Sequence, residues 1–280
     1  MRIDPLTDRL VALALEEDLA LGDVTSAATV DVAVVGEGRI AAKSPLVLAG
    51  VDVATRVFHA VDPSVELSWS CADGDTIASR QVVGVARGSV RSLLAAERTA
   101  LNFLQRLSGT ATLTRAFVHA VAGTGARIVD TRKTTPGWRT LEKAAVLAGG
   151  GGNHRFSLGS GVLIKDNHVD AGGGVGPAVR RARERAPHSL LVEVEVRTLA
   201  ELDEALAARA DMVLLDNMDT DTMREAVRRA RAAGVRTEAS GGVTLATVVG
   251  IAECGVDLIS VGALTHSAPA ADLHMKVRLT

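Results

Sequence analysis

Between Val129 and His168 this chain of 280 residues concentrates three runs of side chains able to do chemistry: Asp130-Thr131-Arg132-Lys133-Thr134-Thr135-Pro136-Gly137, Gly151-Gly152-Asn153-His154-Arg155 and Lys165-Asp166-Asn167-His168. Each follows a short apolar run or a glycine loop in an otherwise aliphatic, alanine-rich sequence. Guanidinium and ammonium groups at this density suit a small ligand with several negative charges, because charge-assisted hydrogen bonds are about twice as strong as neutral ones. Further on, Glu193 and Glu195 stand two residues apart and share one face of a strand whose other face carries Val192, Val194 and Val196. Valines on one face and carboxylates on the other place the acids toward an interior or its mouth. An unpaired charge there costs on the order of several kcal/mol, so cations such as Lys133 or Lys165 should be close. A buried Glu–Lys network that only stabilises the fold is the competing reading, stronger for Glu193 than for Glu195, which is nearer the strand's C-terminal end.

The elements that must hold these residues read as two parts. Apolar positions Leu6, Leu10, Leu13 and Leu15 predict an amphipathic helix over Leu6–Leu19. Strands are expected over Val32–Ala42, Val65–Trp69 and Gln81–Val90, with Gly36, Gly38, Asp73-Gly74 and Gly84 as turns or bulges. A helix over Val90–Leu107 should end at Ser108-Gly109. After that, strands starting near Val192, Val213, Thr237 and Leu258, at intervals of 21, 24 and 21 residues, alternate with helical patterns over Leu199–Ala208, Thr222–Ala233 and Leu245–Glu253. Earlier strands start near Arg127 and Val162. Such alternation predicts parallel β/α architecture, and in a β/α barrel the site lies at the C-terminal ends of the strands. Every strand here runs out in polar or glycine residues: Arg132 and Lys133, Lys165 to His168, Glu195, Asp216, Ser240 and Gly262.

Composition narrows the function. A net charge of −2 gives no global footprint for nucleic acid, so the cationic clusters read as a local site. Cys71 and Cys254 have no partner motif, which predicts neither disulfides nor zinc and fits a reducing, cytoplasmic compartment. Asp4, Asp8 and Glu16-Glu17-Asp18 interrupt any signal-peptide core, and no stretch reaches eighteen uncharged apolar residues, so no membrane partner is expected. The glycine runs 149–152 and 172–176 lack the Lys-Ser/Thr that follows a P-loop, and His59, His119, His188, His266 and His274 have no metal-ligand spacing.

Taken in order, Glu97-Arg98-Thr99-Ala100-Leu101-Asn102, Leu107 to Thr112, Asp130 to Gly137, Gly151 to Arg155, Leu163 to His168, Val192 to Val196, Leu215-Asp216-Asn217 and Ser240-Gly241-Gly242 resemble the quinolinate phosphoribosyltransferase family over nearly the whole chain. The segment from Glu16 through Gly22-Asp23-Val24-Thr25 is similar to that family's N-terminal helix and turn. The resemblance implies an incomplete β/α barrel of parallel strands (110–267) with an N-terminal α+β sandwich domain (1–109) rejoined by 268–280. It implies Mg2+-dependent transfer of a phosphoribosyl group from phosphoribosyl pyrophosphate to quinolinate with loss of CO2, giving nicotinate mononucleotide and pyrophosphate for NAD biosynthesis. By that resemblance Arg132, Arg155 and Lys165, with His154, would take the quinolinate carboxylates, joined by Arg98 from a neighbouring subunit of a homodimer; Thr131 would belong to the substrate-binding set, and larger assemblies stay open. Lys133 would meet pyrophosphate, Glu195 and Asp216 would hold ribose hydroxyls and Mg2+, and Ser240, Gly241, Gly242, Val261 and Gly262 would receive the 5-phosphate. Lys133, Lys165, Glu195 and Asp216 would be the catalytic set. Ser157, Ser160 and Ala239 depart from the family's usual residues, and loss of an acid at Ser160 would orient Arg155 or Lys165 less firmly. Rival readings are a pyrophosphorylase of the same fold with another acceptor, a Schiff-base aldolase using Lys165, and a non-catalytic phosphate-binding scaffold.

Overall fold

The computed structural model describes residues 5–280, and Asp4 lies outside them. Two compact units divide the chain. The first takes the residues up to Arg115 together with Thr134–Gly150 and Leu264–Thr280, so a stretch that the sequence assigns to the barrel groups here instead.

In this unit α1 (Pro5–Leu19) turns Val11 into the core with Leu10, Ala14 and Leu15 beside it, while Leu6 and Leu13 of the expected stripe stay exposed. The short α2 (Val24–Thr29) is capped by Asp23, whose side chain accepts from the Ser26 N–H at 2.9 Å. Next come β1 (Val35–Ala42), β2 (Leu46–Val47), α3 (Val51–Val61), β3 (Glu66–Trp69), β4 (Thr76–Ile77) and β5 (Val82–Ser89). The last strand of the chain, β12 (Leu273–Leu279), pairs antiparallel with β1, giving a sheet in the order β12-β1-β5-β3 over a core that includes Ile40, Phe58, Leu93, Phe103 and Leu104. Gly36 and Gly38 lie inside β1, whereas Gly84 of β5 sits at a bulge, where the register shifts from Ile40–Gly84 to Ala41–Val82.

The long α4 (Val90–Ala120) does not stop at Ser108-Gly109. Both residues serve packing there: the Ser108 hydroxyl accepts from the Ala49 N–H at 3.0 Å, and a Cβ on Gly109 would overlap the Pro269 carbonyl. A Ser-Gly pair reads as a helix end in sequence, but here it is the place where backbone from elsewhere in the unit reaches the helix. The unit also holds α5 (Arg139–Ala148), whose fully buried Glu142 accepts from the Thr135 N–H at 2.9 Å and hydroxyl at 2.7 Å.

The second unit is built from β6 (Arg127–Val129), β7 (Val162–Ile164), α6 (Asp166–Gly172), α7 (Val175–Arg185), β8 (Val192–Val196), α8 (Leu199–Ala207), β9 (Met212–Asp216), α9 (Thr220–Ala232), β10 (Arg236–Ser240), α10 (Val248–Ala252) and β11 (Leu258–Ser260). Its six strands are parallel, in the order β6-β11-β10-β9-β8-β7. Although β6 and β7 are the two ends of this order, residues just after both of them line one cavity, so the sheet curls into a barrel with one open seam. Backbone from the loop after α5 covers part of the β6 edge: Gly152 N–H donates to Ile128 at 2.8 Å and Asp130 N–H to Gly152 at 3.1 Å. Valines 192, 194 and 196 of β8 are buried, in keeping with the alternation read from sequence.

Replacing Gly109 by alanine should lower stability by about 1–3 kcal/mol, the usual cost of overpacking. Reversible denaturant unfolding checks this, and an unchanged midpoint would mean that the Pro269 backbone yields freely.

Candidate active site

Thr131, Arg132, Lys133, His154, Arg155, Lys165 and Ser240 line one cavity of about 270 Å³ at the C-terminal rim of the barrel. Leu163, Leu214, Glu238 and Ser260 complete it. The strand ends supply Lys165 directly after β7 and Ser240 at the end of β10, while Arg132 and Lys133 follow β6 by a few residues. His154 and Arg155 come from the loop over the β6 edge, held by the fully buried Asp130: one carboxylate oxygen accepts from the His154 N–H at 2.8 Å and the other from the Asn153 side chain at 2.7 Å. Asp130 thus fixes two of the three cationic runs to one another, a role the sequence did not single out.

The cations are prepared for an anion. Burial, and then the nearby Arg132 charge, lowers the Arg155 pKa below the ordinary guanidinium value. Arg155 donates to the Gly161 carbonyl at 3.0 Å, and the Arg132 Nε is buried with no hydrogen-bond partner among the described residues. Ser157 and Ser160 bond each other, with hydroxyl oxygens 2.9 Å apart, and the Gly161 carbonyl anchors the Arg155 head.

Beneath the cavity His154 Nε2 lies 3.2 Å from Glu193 and 3.5 Å from Glu238, and His154 Nδ1 accepts from the Arg155 N–H at 2.7 Å. Glu193 is therefore paired with a histidine, not with lysine. Burial first, then the Glu193 charge, pushes Glu238 up to about 7. Burial disfavours the charged imidazole, but the Glu193 hydrogen bond and the two carboxylate charges outweigh it and raise His154. A second ring proton would have to sit on Nδ1, where the Arg155 N–H already points. The ring proton that pairs with Glu193 is therefore placed on Nε2, and burial holds the neighbouring Glu238 toward its protonated form. Both ring nitrogens then face protein groups, so His154 acts as part of the cavity floor.

At the outer end of the rim Glu195 receives Lys165 Nζ at 3.3 Å on one oxygen and Arg197 at 3.4 Å on the other. Arg197 also reaches Asp216 at 3.4 Å and Asp166 at 3.0 Å. Asp166 is therefore a brace for Arg197, its other oxygen accepting from the Asn167 N–H at 2.7 Å. His168 Nδ1 accepts from the Lys165 N–H at 3.0 Å. Gly241 and Gly242 have φ of +96° and +57°, and a side chain on Gly241 would collide with Asn217. The Val261 N–H is spent on the Val129 carbonyl at 2.9 Å, so of the residues expected at a phosphate it has no donor to offer. Arg98 belongs to the first unit, where it lines a cavity with Glu17, Asp18, Asn102 and Trp138. Sequence reasoning passed over Glu238 and Arg197. Period-2 alternation marks both, since Glu238 shares a face with Ser240 and Arg197 with Glu195.

The sequence matches the quinolinate phosphoribosyl transferase N-terminal domain over residues 23–108 and its C-terminal domain over residues 110–276. The chain belongs to the quinolinate phosphoribosyltransferase family. Among relatives, the Mycobacterium leprae nicotinate-nucleotide pyrophosphorylase [carboxylating] is 46% identical over 93% of each chain. A probable enzyme of the same name from Synechocystis is 45% identical over 86% of this chain and 83% of its own. The Streptococcus pyogenes NadC structure superposes with a TM-score of 0.95 at 40% identity, covering 100% of this chain and 99% of that one. Like its relatives in this phosphoribosyltransferase family, the chain is an enzyme.

The Glu238 assignment has a pH signature. Its carboxyl ionises more readily in the unfolded chain, near 4.5, than in the fold, near 7, so the fold is favoured most at low pH and loses that advantage as pH rises through this window. Glu238→Gln, neutral throughout, should gain on the parent by more than about 1 kcal/mol between pH 5 and pH 8, one pKa unit being about 1.4 kcal/mol. Denaturant titrations at both pH values measure it; a pH-independent difference would remove the proton from Glu238.

Proposed function

We propose that this enzyme transfers the phosphoribosyl group of phosphoribosyl pyrophosphate to quinolinate, releasing pyrophosphate and CO2 and forming nicotinate mononucleotide for NAD biosynthesis. The observation that carries the reading is the convergence of Arg132, Lys133, Arg155 and Lys165 on one cavity of about 270 Å³. A small cavity with four cationic side chains and one buried acid suits a compact dianion better than a monoacid. The Arg132 and Arg155 forks bind carboxylates with two parallel hydrogen bonds, which a lysine cannot do. Each such contact is worth roughly 1.5–3 kcal/mol, enough for two of them to separate quinolinate from nicotinate by orders of magnitude. The relatives' names, carboxylating pyrophosphorylase and decarboxylating quinolinate phosphoribosyltransferase, support the same acceptor.

In this reading the ring nitrogen attacks the ribose C1 as the C1–O bond to pyrophosphate breaks. Positive charge grows on the ribose and negative charge on the leaving group. Glu195 and Asp216, at neighbouring strand ends, face the first; Lys133 meets the second, and the work is positioning and electrostatic stabilisation without a covalent nucleophile. Gly241 and Gly242, with Ser240 and Gly262, would take the 5-phosphate on groups that no side chain shields. Mg2+ fits the acidic end, because Glu195 and Asp216 already share a cationic partner there; bound with the donor, it would neutralise pyrophosphate oxygens. After transfer, the positively charged ring nitrogen stabilises the electron pair left at C2 when CO2 departs, and C2 then takes a proton from solvent to give nicotinate mononucleotide. Arg98 would be supplied by a second copy of the chain, making a homodimer the working unit. The aldolase reading loses ground because the Lys165 ammonium is held by Glu195, and a Schiff-base lysine must be neutral to attack.

Pyrophosphate and CO2 release with Mg2+ and phosphoribosyl pyrophosphate should be seen with quinolinate and be at least a hundredfold slower with nicotinate. Equal turnover of both, or of neither, overturns the acceptor. Arg132→Ala should lower kcat/KM for quinolinate roughly ten- to a hundredfold. If the site is shared between subunits, inactive Arg98→Ala and Lys165→Ala proteins should regain part of their activity on mixing under conditions of proven exchange, and no recovery would assign Arg98 to some other task.

A further inference from the structure

Three acids at the outer rim, Asp166, Glu195 and Asp216, are bridged by a single guanidinium, that of Arg197. We propose that Arg197 is a built-in counter-ion: it occupies the acidic end of the site while the phosphoribosyl donor and its divalent cation are absent, and must swing away for them to bind. The inference rests on the role given above to Glu195 and Asp216.

Its placement follows from the strand. Residues 193, 195 and 197 alternate onto one face of β8, and Arg197 is one step beyond the strand's last residue, Val196. Its side chain therefore starts on the same side as the two glutamates but outside the sheet, and remains about half exposed at 53%. The backbone at this point is fixed. Arg197 N–H donates to Glu201 at 2.6 Å, and Thr198 and Glu201 close a capping box that begins α8. A pinned Cα with a long, exposed side chain makes a pivot.

The contact lengths say which way it turns. Arg197 lies 3.4 Å from both Glu195 and Asp216 but 3.0 Å from Asp166. Charge-assisted bonds prefer about 2.7–2.9 Å, so the first two are loose and the third is the firmest. Asp166 is tied to the Asn167 N–H through its other oxygen and forms no part of the acid pair assigned to ribose and metal. It is thus a place where the guanidinium can stay after releasing Glu195 and Asp216. Glu195, only 8% exposed, keeps Lys165 on its second oxygen and does not become an unpaired buried charge when Arg197 leaves. Two loose exposed-side ion pairs compete modestly, which predicts a weakening of cation binding by roughly three- to thirtyfold. Arg197 is accordingly a gating and positioning residue, not a catalytic one.

The test is direct Mn2+ binding to the whole protein, followed by electron paramagnetic resonance without substrates and again with phosphoribosyl pyrophosphate. Arg197→Ala should bind Mn2+ three- to thirtyfold more tightly than the parent, and Asp216→Asn in that background should remove the gain. Arg197→Lys keeps the charge but cannot bridge three acids, so it should lie between the two. Equal affinity in the parent and Arg197→Ala, no Mn2+ binding by Arg197→Ala, or an Arg197→Lys protein identical to the parent each overturns the inference, the last because net charge alone would then account for the effect. Because no acceptor is present in the titration, a wrong assignment of quinolinate leaves this result readable on its own.

Discussion

Glu193 and Glu238 project from β8 and β10 into the barrel and both approach His154 Nε2, at 3.2 and 3.5 Å. Two full negative charges in that space would repel in a low-dielectric surrounding at a cost that few folds carry. The constraint is met by sharing: one proton stays on Glu238, one imidazole N–H is offered to Glu193, and the cationic wall of Arg132, Arg155 and Lys165 stands above. This couples floor and wall. Asp130 places His154 and Arg155 together through the same loop, so the group that balances the buried acids and the group that faces the ligand move as one. A cavity with a net positive opening over a net negative floor orients an anion with its charges upward, toward the rim where the chemistry is proposed.

Much of this was readable from sequence, because strand alternation and strand spacing are local properties. The run Val192 to Val196 announces its two faces, and the polar residues closing each strand mark the rim before any coordinate is known. The resemblance added the sandwich domain and the family, and both hold. What stayed hidden depends on contacts far apart in the chain. Ser108-Gly109 carries the local signature of a helix end, yet the helix continues to Ala120 because the Pro269 backbone needs the space of a missing side chain. Thr134–Gly150 reads as part of the barrel by position, but its fully buried Glu142 is satisfied within the first unit by Thr135.

The site was legible in type more than in detail. Cationic residues were found because they cluster in sequence, and six of the rim residues named for the acceptor and donor meet at one cavity together with Ser240. For Glu238 and Arg197 alternation gives the face but not the partners: the curl of the sheet brings β10 under the loop after α5, and the end of β8 sets Arg197 across from Asp216. His154, expected among the carboxylate ligands, lines the cavity with its ring nitrogens against Glu193, Glu238 and the Arg155 N–H. Val261 was read as a phosphate contact, and its amide instead extends the sheet toward β6.

The open seam between β6 and β7 has a mechanical meaning. In a closed barrel, backbone hydrogen bonds set the circumference all the way round, and the mouth has a fixed width. Here Arg132 and Lys133 follow the β6 edge, which Gly152 covers in part, Lys165 follows the β7 edge, and the loop carrying His154 and Arg155 joins them at the cavity. An anion gripped by groups from both edges would act as the missing rung of the barrel, a reversible crosslink that sets the circumference only while it is bound. Recognition of the anion and fixing of the seam would then be one event.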